Sequence, residues 1–192
     1  RWLLHRAGWK LEGVRPSFDR YVLIAAPHTS NWDFPLMLAF AAAFDIKVTW
    51  MAKHTLFIPR FGWIMRALGG MPIVRHENRN VVDAMVELFG RVGQLVLVVP
   101  TEGTRELTRY WKSGFYHIAR QAGVPIVPSF LDFGRRRGGF GPALQRGMIP
   151  QPPAAAPFAQ ITPGATGPRS RAATPCVARR ARMRPARTAR AP

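Results

Sequence analysis

Short runs of Val, Ile and Leu alternate along this chain with stretches in which apolar residues recur every three or four positions. The short runs have the composition of strands that are buried on both faces. They lie at residues 21–26, 47–52, 71–75, 95–100 and 124–133. Strands that alternate with helices are typical of α/β layer proteins, so we predict a central, mostly parallel or mixed sheet flanked by helices.

Four helices are predicted between these strands, at residues 33–44, 56–68, 81–89 and 113–122. The third has the clearest apolar face, with Asn80 placed as its N-cap and Gly93 near its end. Gly123 is expected to end the fourth helix. In the last strand, Pro125 and Pro128 each lack an amide proton, which predicts an edge position or an irregular ladder.

The pattern stops at about residue 134. Residues 134–192 contain 10 of the 18 prolines and 12 arginines, but no Lys, Asp or Glu, so they carry +12 of the net charge of +18. We predict one domain at residues 1–133 and an Arg/Pro/Ala-rich, irregular or disordered tail at 134–192. Arginine without lysine is also what an out-of-frame reading of GC-rich DNA would give, a hypothesis that resequencing the gene tests.

Cysteine and hydropathy exclude several classes of protein. Cys176 is the single cysteine, which leaves no disulfide framework and no thiolate metal site. No apolar stretch approaches the roughly 18 residues that a membrane-spanning helix requires. We see no signal peptide, and we expect neither a metal nor a resident cofactor.

The first candidate for chemistry is a histidine followed, after four residues, by an aspartate: His28 and Asp33. They lie where the first predicted strand gives way to a helix, with Ser30 or Asn31 as the predicted cap. A carboxylate in the first helical turn can orient the imidazole, whose other nitrogen then serves as a general base. Alone, the pattern is more often a surface histidine beside a charge at a helix start than a catalytic pair.

Two other strand ends carry arginines. Gly70 precedes a short β run that ends in Arg75, and residues 102–105 read Glu-Gly-Thr-Arg after the fourth strand. Gly103 permits a tight turn there, and a guanidinium can hold a phosphate through two hydrogen bonds.

These blocks, in this order, resemble those of the lysophosphatidic acid acyltransferase family of glycerolipid enzymes. The blocks are the His-x4-Asp pair, the glycine and β run ending in Arg75, Glu-Gly-Thr-Arg, and Val-Pro-Ile-Val-Pro at residues 124–128. The resemblance implies that His28 is the general base and Asp33 its orienting partner. The residues that it places at the substrate are Lys53, Arg75, Glu102, Gly103, Thr104 and Arg105.

The same resemblance implies transfer of a fatty acyl group from acyl-CoA or acyl-carrier protein to a lysolipid or glycerol phosphate hydroxyl. It implies a peripheral location on the cytoplasmic side of a membrane. Residues 57–66 mix bulky apolar side chains with two arginines, which fits an interfacial helix or a helix packed on the sheet. Pro27, Thr101 and Glu106 depart from the family's usual residues and leave the acceptor's identity open.

Three alternatives compete with this interpretation. The basic tail could bind nucleic acid or an anionic membrane, although it has no aromatic interleaving and no nucleic-acid motif. A hydrolase could recruit Ser30, Ser113 or Ser129, but the chain has no Gly-x-Ser-x-Gly elbow. The third alternative is an inactive acyltransferase-like protein.

Overall fold

The computed structural model describes residues 1–28, 30–58, 60–73, 78–103 and 111–145. The strands in this part of the chain are β1 (Lys10–Glu12), β2 (Arg20–Ala25), β3 (Val48–Lys53), β4 (Gly70–Ile73), β5 (Leu95–Pro100), β6 (Ile126–Asp132) and β7 (Arg137–Phe140). The α-helices are α1 (Trp2–Arg6), α2 (Asp33–Ala43), α3 (Gly62–Ala67), α4 (Asn78–Arg91) and α5 (Gly114–Ala122), with a short 3₁₀ helix at His54–Leu56.

The seven strands form a single sheet in the order β1-β7-β6-β2-β5-β3-β4. Every neighbouring pair is parallel except β6 and β7, which are antiparallel. The predicted central mixed α/β sheet is therefore confirmed. Strands β2 and β5 lie in the interior of the sheet, so their carboxyl ends meet at one edge, where open α/β sheets place their ligands.

Both faces of the sheet are covered. Along β2, Tyr21 and Leu23 face the layer that contains α2, whereas Val22 and Ile24 face α4 and α5. This alternation follows from the period of two along a strand, and it explains why each strand reads as an unbroken apolar run.

The five predicted strands each coincide with an observed strand, but two predicted helix starts are wrong. Helix α4 begins at Asn78, so Asn80 lies inside the helix instead of capping it. The N-cap of α2 is Trp32, not Ser30 or Asn31. Gly123 ends α5 in the left-handed conformation, with φ of 67°, as predicted.

The predicted end of the pattern near residue 134 is also wrong, because β7 follows it and joins β6 to β1. The hydrophobic pattern did not predict this strand, because two glycines occupy its centre. A Cβ on Gly139 would lie 1.8 Å from the Glu12 carbonyl oxygen, and one on Gly138 would lie 2.9 Å from the Phe40 ring. Residues 146–192, most of the predicted tail, lie outside the described residues.

Strand β6 lies inside the sheet, and its ladder is irregular, as the prolines allowed. The Ile126 amide donates to the Leu144 carbonyl. Residues two apart on a strand face the same side, so the backbone nitrogen of Pro128 faces the side of β6 on which Leu144 lies. There the Gly141 amide donates to the Pro128 carbonyl at 2.9 Å, and regular pairing with β7 begins only at Ser129. The missing proline proton therefore falls in a gap between the two strands.

Candidate active site

The His28 loop lies at the carboxyl edge of the sheet, directly after the central strand β2. The strand delivers His28 to the edge, and the turn that follows leads into α2, which begins at Asp33. Both residues line one cavity. The sequence therefore places a titratable ring in the loop just after a buried strand and a carboxylate in the first turn of the helix that follows.

His28 and Asp33 are in direct contact. The His28 Nδ1 lies 3.1 Å from the Asp33 Oδ2, and the two side chains are 26% and 7% exposed. A buried carboxylate at this distance orients the ring through Nδ1 and selects its tautomer. Nε2 is then the nitrogen that can accept a proton from a substrate.

The turn itself also fixes the carboxylate. The Ser30 amide donates to the Asp33 Oδ2 at 2.8 Å, and the Trp32 amide donates to the Ser30 Oγ at 3.2 Å. These local bonds satisfy amides at the start of α2 that have no partner within the helix. The cap was predicted at Ser30 or Asn31. In the structure the Asp33 side chain, in the first helical turn, accepts the Ser30 amide instead.

Glu102 contacts the same histidine from the other side. Its Oε2 accepts a hydrogen bond from the His28 backbone amide at 3.0 Å, across 74 positions of the chain. Burial raises the pKa of the Glu102 carboxyl above its ordinary range, although the His28 amide and ring oppose the shift. In the described structure Glu102 thus holds the histidine loop, a contact that the sequence did not predict.

An apolar cavity of about 540 Å³ extends from His28 between α2 and the sheet. This volume is within the usual range for small-molecule sites. Residues from α2 and five strands line it, among them Leu23, Phe34, Met37, Trp50, Val98 and Phe130. The sequence could not reveal this cavity, because its lining residues are scattered from position 23 to position 140.

The structure places only some of the expected substrate residues. Lys53, at the end of β3, lines the cavity. Gly103 takes a positive φ of 64° in the turn after β5, as expected of a glycine there. Arg75, Thr104 and Arg105 lie outside the described residues.

Two of the serines considered for a hydrolase have hydroxyl groups that are hydrogen-bonded elsewhere. Ser129 donates its hydroxyl to the Ile24 carbonyl at 2.8 Å, and the Ser30 hydroxyl accepts from Trp32. Ser113 is the N-cap residue of α5. The described partner of the His28 ring is Asp33 and not one of these serines.

An exposed apolar rim lies beside the cavity, formed by Leu56, Ile58, Phe61 and Trp63, which are between 49% and 67% exposed. Leu56 also lines the cavity, so the rim and the cavity are continuous. In the part of the chain that the structure describes, no helix has the length and apolar character needed to cross a bilayer.

These features define an α/β protein with a histidine–carboxylate pair at the mouth of an apolar cavity. The chain belongs to the acyltransferase family, whose model matches residues 10–132. The match includes all four blocks that carry the resemblance in the sequence.

Curated relatives point in the same direction. The chain is 31% identical over 115 residues to a 1-acyl-sn-glycerol-3-phosphate acyltransferase of Streptococcus pneumoniae, covering 59% of this chain and 42% of that protein. It is also 31% identical over 122 residues to a chloroplastic 1-acyl-sn-glycerol-3-phosphate acyltransferase of Brassica napus, covering 60% of this chain and 34% of that protein. The chain thus matches less than half the length of these two relatives.

A solved structure shares the fold. The crystal structure of the 1-acyl-sn-glycerophosphate acyltransferase of Thermotoga maritima aligns with a TM-score of 0.52 and 21% identity. The alignment covers 73% of this chain and 63% of that one. This likeness supports the α/β architecture.

Proposed function

We propose that the chain transfers a fatty acyl group from a thioester donor, acyl-CoA or acyl-carrier protein, to a hydroxyl of a glycerophosphate-type acceptor. The observation that carries the proposal is the contact between the His28 Nδ1 and the Asp33 Oδ2 at the mouth of the apolar cavity. The acyltransferase family and the printed activity of the curated relatives support the reaction class.

The proposed reaction needs one base and no covalent enzyme intermediate. The His28 Nε2 takes the proton of the acceptor hydroxyl while that oxygen attacks the thioester carbonyl carbon. The tetrahedral intermediate then collapses, the carbon–sulfur bond breaks, and the leaving thiolate takes the proton back from the imidazolium. Asp33 stabilises the imidazolium between these two steps.

The acyl chain is proposed to occupy the cavity, since its walls are apolar and its mouth carries the reacting groups. Lys53 is the basic residue of the described site that lines the same cavity, and it is proposed to lie near the acceptor phosphate. The same role for Arg75, Thr104 and Arg105 rests on the resemblance. Glu102 and Gly103 are proposed to shape the turn beside the acceptor.

Contact with a membrane surface is proposed through the apolar rim. The sequence between Asp45 and Glu77 contains no acidic residue, while it includes Lys53, Arg60 and Arg66. Apolar side chains interleaved with cations fit an interface that carries anionic lipids, such as the cytoplasmic leaflet. Leu56 would connect that interface with the cavity.

The test is a transfer assay on the full chain with acyl-CoA and lysophosphatidate, in which free thiol and acylated product are both measured. His28→Ala should lower kcat by about 10² to 10⁴, the usual contribution of a general base. His117→Ala, an exposed histidine of α5, is the matched control and should keep wild-type turnover. Wild-type turnover in His28→Ala, or no transfer by the unaltered chain with either donor, would overturn the proposal.

A further inference from the structure

The side chain of Lys112 folds back over the turn that follows β5. Gly103 lies beneath it, and a Cβ built on that glycine would lie 2.6 Å from the Lys112 Cε and 2.7 Å from its Nζ. The Lys112 amide donates to the Thr101 carbonyl at 2.8 Å, which fixes the backbone from which the side chain starts. The ammonium group is thereby held against the residue next to Glu102.

The positive φ of 64° at position 103 is a conformation that L side chains rarely adopt, so the turn itself favours glycine. The atoms that a Cβ there would meet belong to the flexible end of the Lys112 side chain, which can move aside. With glycine in place, the lysine side chain lies directly over the turn.

The charge of Lys112 has no counterion in the described structure. The ion pairs among the described residues involve Arg15, His28, Arg91 and Arg137, and none includes Lys112. Lys112 is exposed to solvent, so an incoming anion can reach it. An exposed cation that has no counterion among the described residues can interact with an anionic group of a ligand.

The position of that turn indicates which anion is expected. Strands β2, β5 and β3 are parallel neighbours, and their carboxyl ends carry the His28 loop, the Glu102–Gly103 turn and Lys53. Lys112 and Lys53 are thus cations at the edge where the proposed reaction occurs. Both proposed substrates bring phosphate to this edge, either on the acceptor or on the carrier of the donor.

We propose that Lys112 binds a phosphate group of a substrate at the carboxyl edge of the sheet. The proposal rests on the proposed function for the identity of the substrate, and it adds a binding residue outside the four blocks of the resemblance. Lysine suits this role as a compact point charge that holds phosphate without fixed geometry.

Steady-state kinetics on the full chain test the proposal and identify the source of the phosphate. Lys112→Ala should raise one KM about tenfold, the size expected for a charge-assisted hydrogen bond, with kcat little changed. Lys112→Arg should recover most of the loss, because it restores the cation. Lys47→Ala removes an exposed lysine just before β3, at the opposite edge, and should leave both KM values unchanged.

Substrates that lack phosphate separate the two sources. A rise in KM for lysophosphatidate but not for monoacylglycerol assigns Lys112 to the acceptor. A rise for acyl-CoA that disappears with acyl-pantetheine assigns it to the donor. Unchanged KM values for both phosphorylated substrates, or an equal rise with the phosphate-free ones, would overturn the proposal.

Chemical modification of lysines tests the phosphate site independently of acyl transfer. Reductive methylation of the full chain, followed by peptide mass spectrometry, reports the reactivity of each lysine. Glycerol 3-phosphate or CoA should slow the modification of Lys112 several-fold and leave Lys47 unaffected. No protection of Lys112 by either probe would refute the phosphate site, whether or not the chain transfers acyl groups.

Discussion

His28 is held by two carboxylates that act on different parts of the residue. Asp33 contacts the ring through Nδ1, whereas Glu102 accepts the backbone amide of the same residue. The first contact sets the tautomer and the orientation of the imidazole, and the second holds the loop at the edge of the sheet. Substitutions of the two carboxylates should therefore have separable effects on chemistry and on stability.

Glu102→Gln should stabilise the protein increasingly as pH rises. The raised pKa means that the folded state binds the Glu102 proton more tightly than the unfolded state does. Wild type therefore loses stability as pH increases from about 4.3, the ordinary glutamate value, through the raised pKa. Glutamine keeps an oxygen for the His28 amide and carries no charge, so it avoids this loss.

Urea unfolding of both proteins at several pH values between 4 and 7 gives the difference in free energy of unfolding. Glu87→Gln removes an exposed carboxylate of α4 and is the control, with an expected change within about 0.5 kcal/mol. A difference for Glu102→Gln that shrinks towards neutral pH would contradict the assignment.

The two contacts of His28 also show what the sequence could predict at this scale. Asp33 is five positions away and lies in the first turn of the next helix, so strand, turn and helix patterns together bring it to the ring. Glu102 is 74 positions away, and its hydrogen bond depends on the pairing of β2 with β5. Local patterns do not specify that register, and the resemblance gave Glu102 a role at the substrate instead.

At the scale of elements, the glycines of β7 let three strands meet closely. Gly139 pairs with Glu12 of β1 and with Phe130 of β6. The Glu12 carbonyl would lie 1.8 Å from a Cβ at position 139, a distance that no side chain tolerates. The pairing of β1 with β7 therefore requires a residue without a side chain at position 139.

Gly139→Ala should lower the free energy of unfolding by about 1–3 kcal/mol, because β1 must move away from β7 to admit the methyl group. Gly141→Ala is the matched control, since a Cβ there would first meet the Pro128 Cβ at 3.5 Å, an ordinary contact. Urea denaturation of the two variants and wild type measures the effect. Equal stability of the two variants would show that β1 accommodates the added carbon.

The elements that the sequence predicted are those with a repeating pattern. Helix α5 and strands β2 and β5 bury regular apolar positions, and their patterns are visible without the fold. Strand β7 and helix α1 have no such pattern. Two glycines form the centre of β7, and α1 is five residues long with Leu4 buried. Their structure depends on neighbours that are distant in the chain, which is why they were missed.

At the scale of the whole molecule, the apolar rim and the cavity mouth share Leu56, and the adjoining sequence is free of acidic residues. A membrane docked on the rim would therefore face the opening of the cavity. Arg66 is exposed, and its guanidinium carbon lies 5.6 Å from the centre of the Phe57 ring, so a cation accompanies the apolar side chains on this side of the molecule.

Phe61→Ser should weaken binding to vesicles of mixed neutral and anionic phospholipid about tenfold, through loss of buried apolar area. Val14→Ser changes an 85% exposed apolar side chain outside the rim and should bind as wild type does. Sedimentation of the full chain with sucrose-loaded vesicles measures both. Equal binding by wild type and Phe61→Ser would show that the rim does not contribute to membrane binding.

Helix α2 carries Asp33 in its first turn and, further along, Phe34, Met37 and Phe40, which line the cavity. The wall that an acyl tail would touch and the carboxylate that contacts the His28 ring are thus parts of one helix. A tail too bulky for the cavity would tilt α2 and move the Asp33 carboxylate away from the imidazole. Selectivity for chain length would then emerge as a difference in turnover, even among donors that bind equally well.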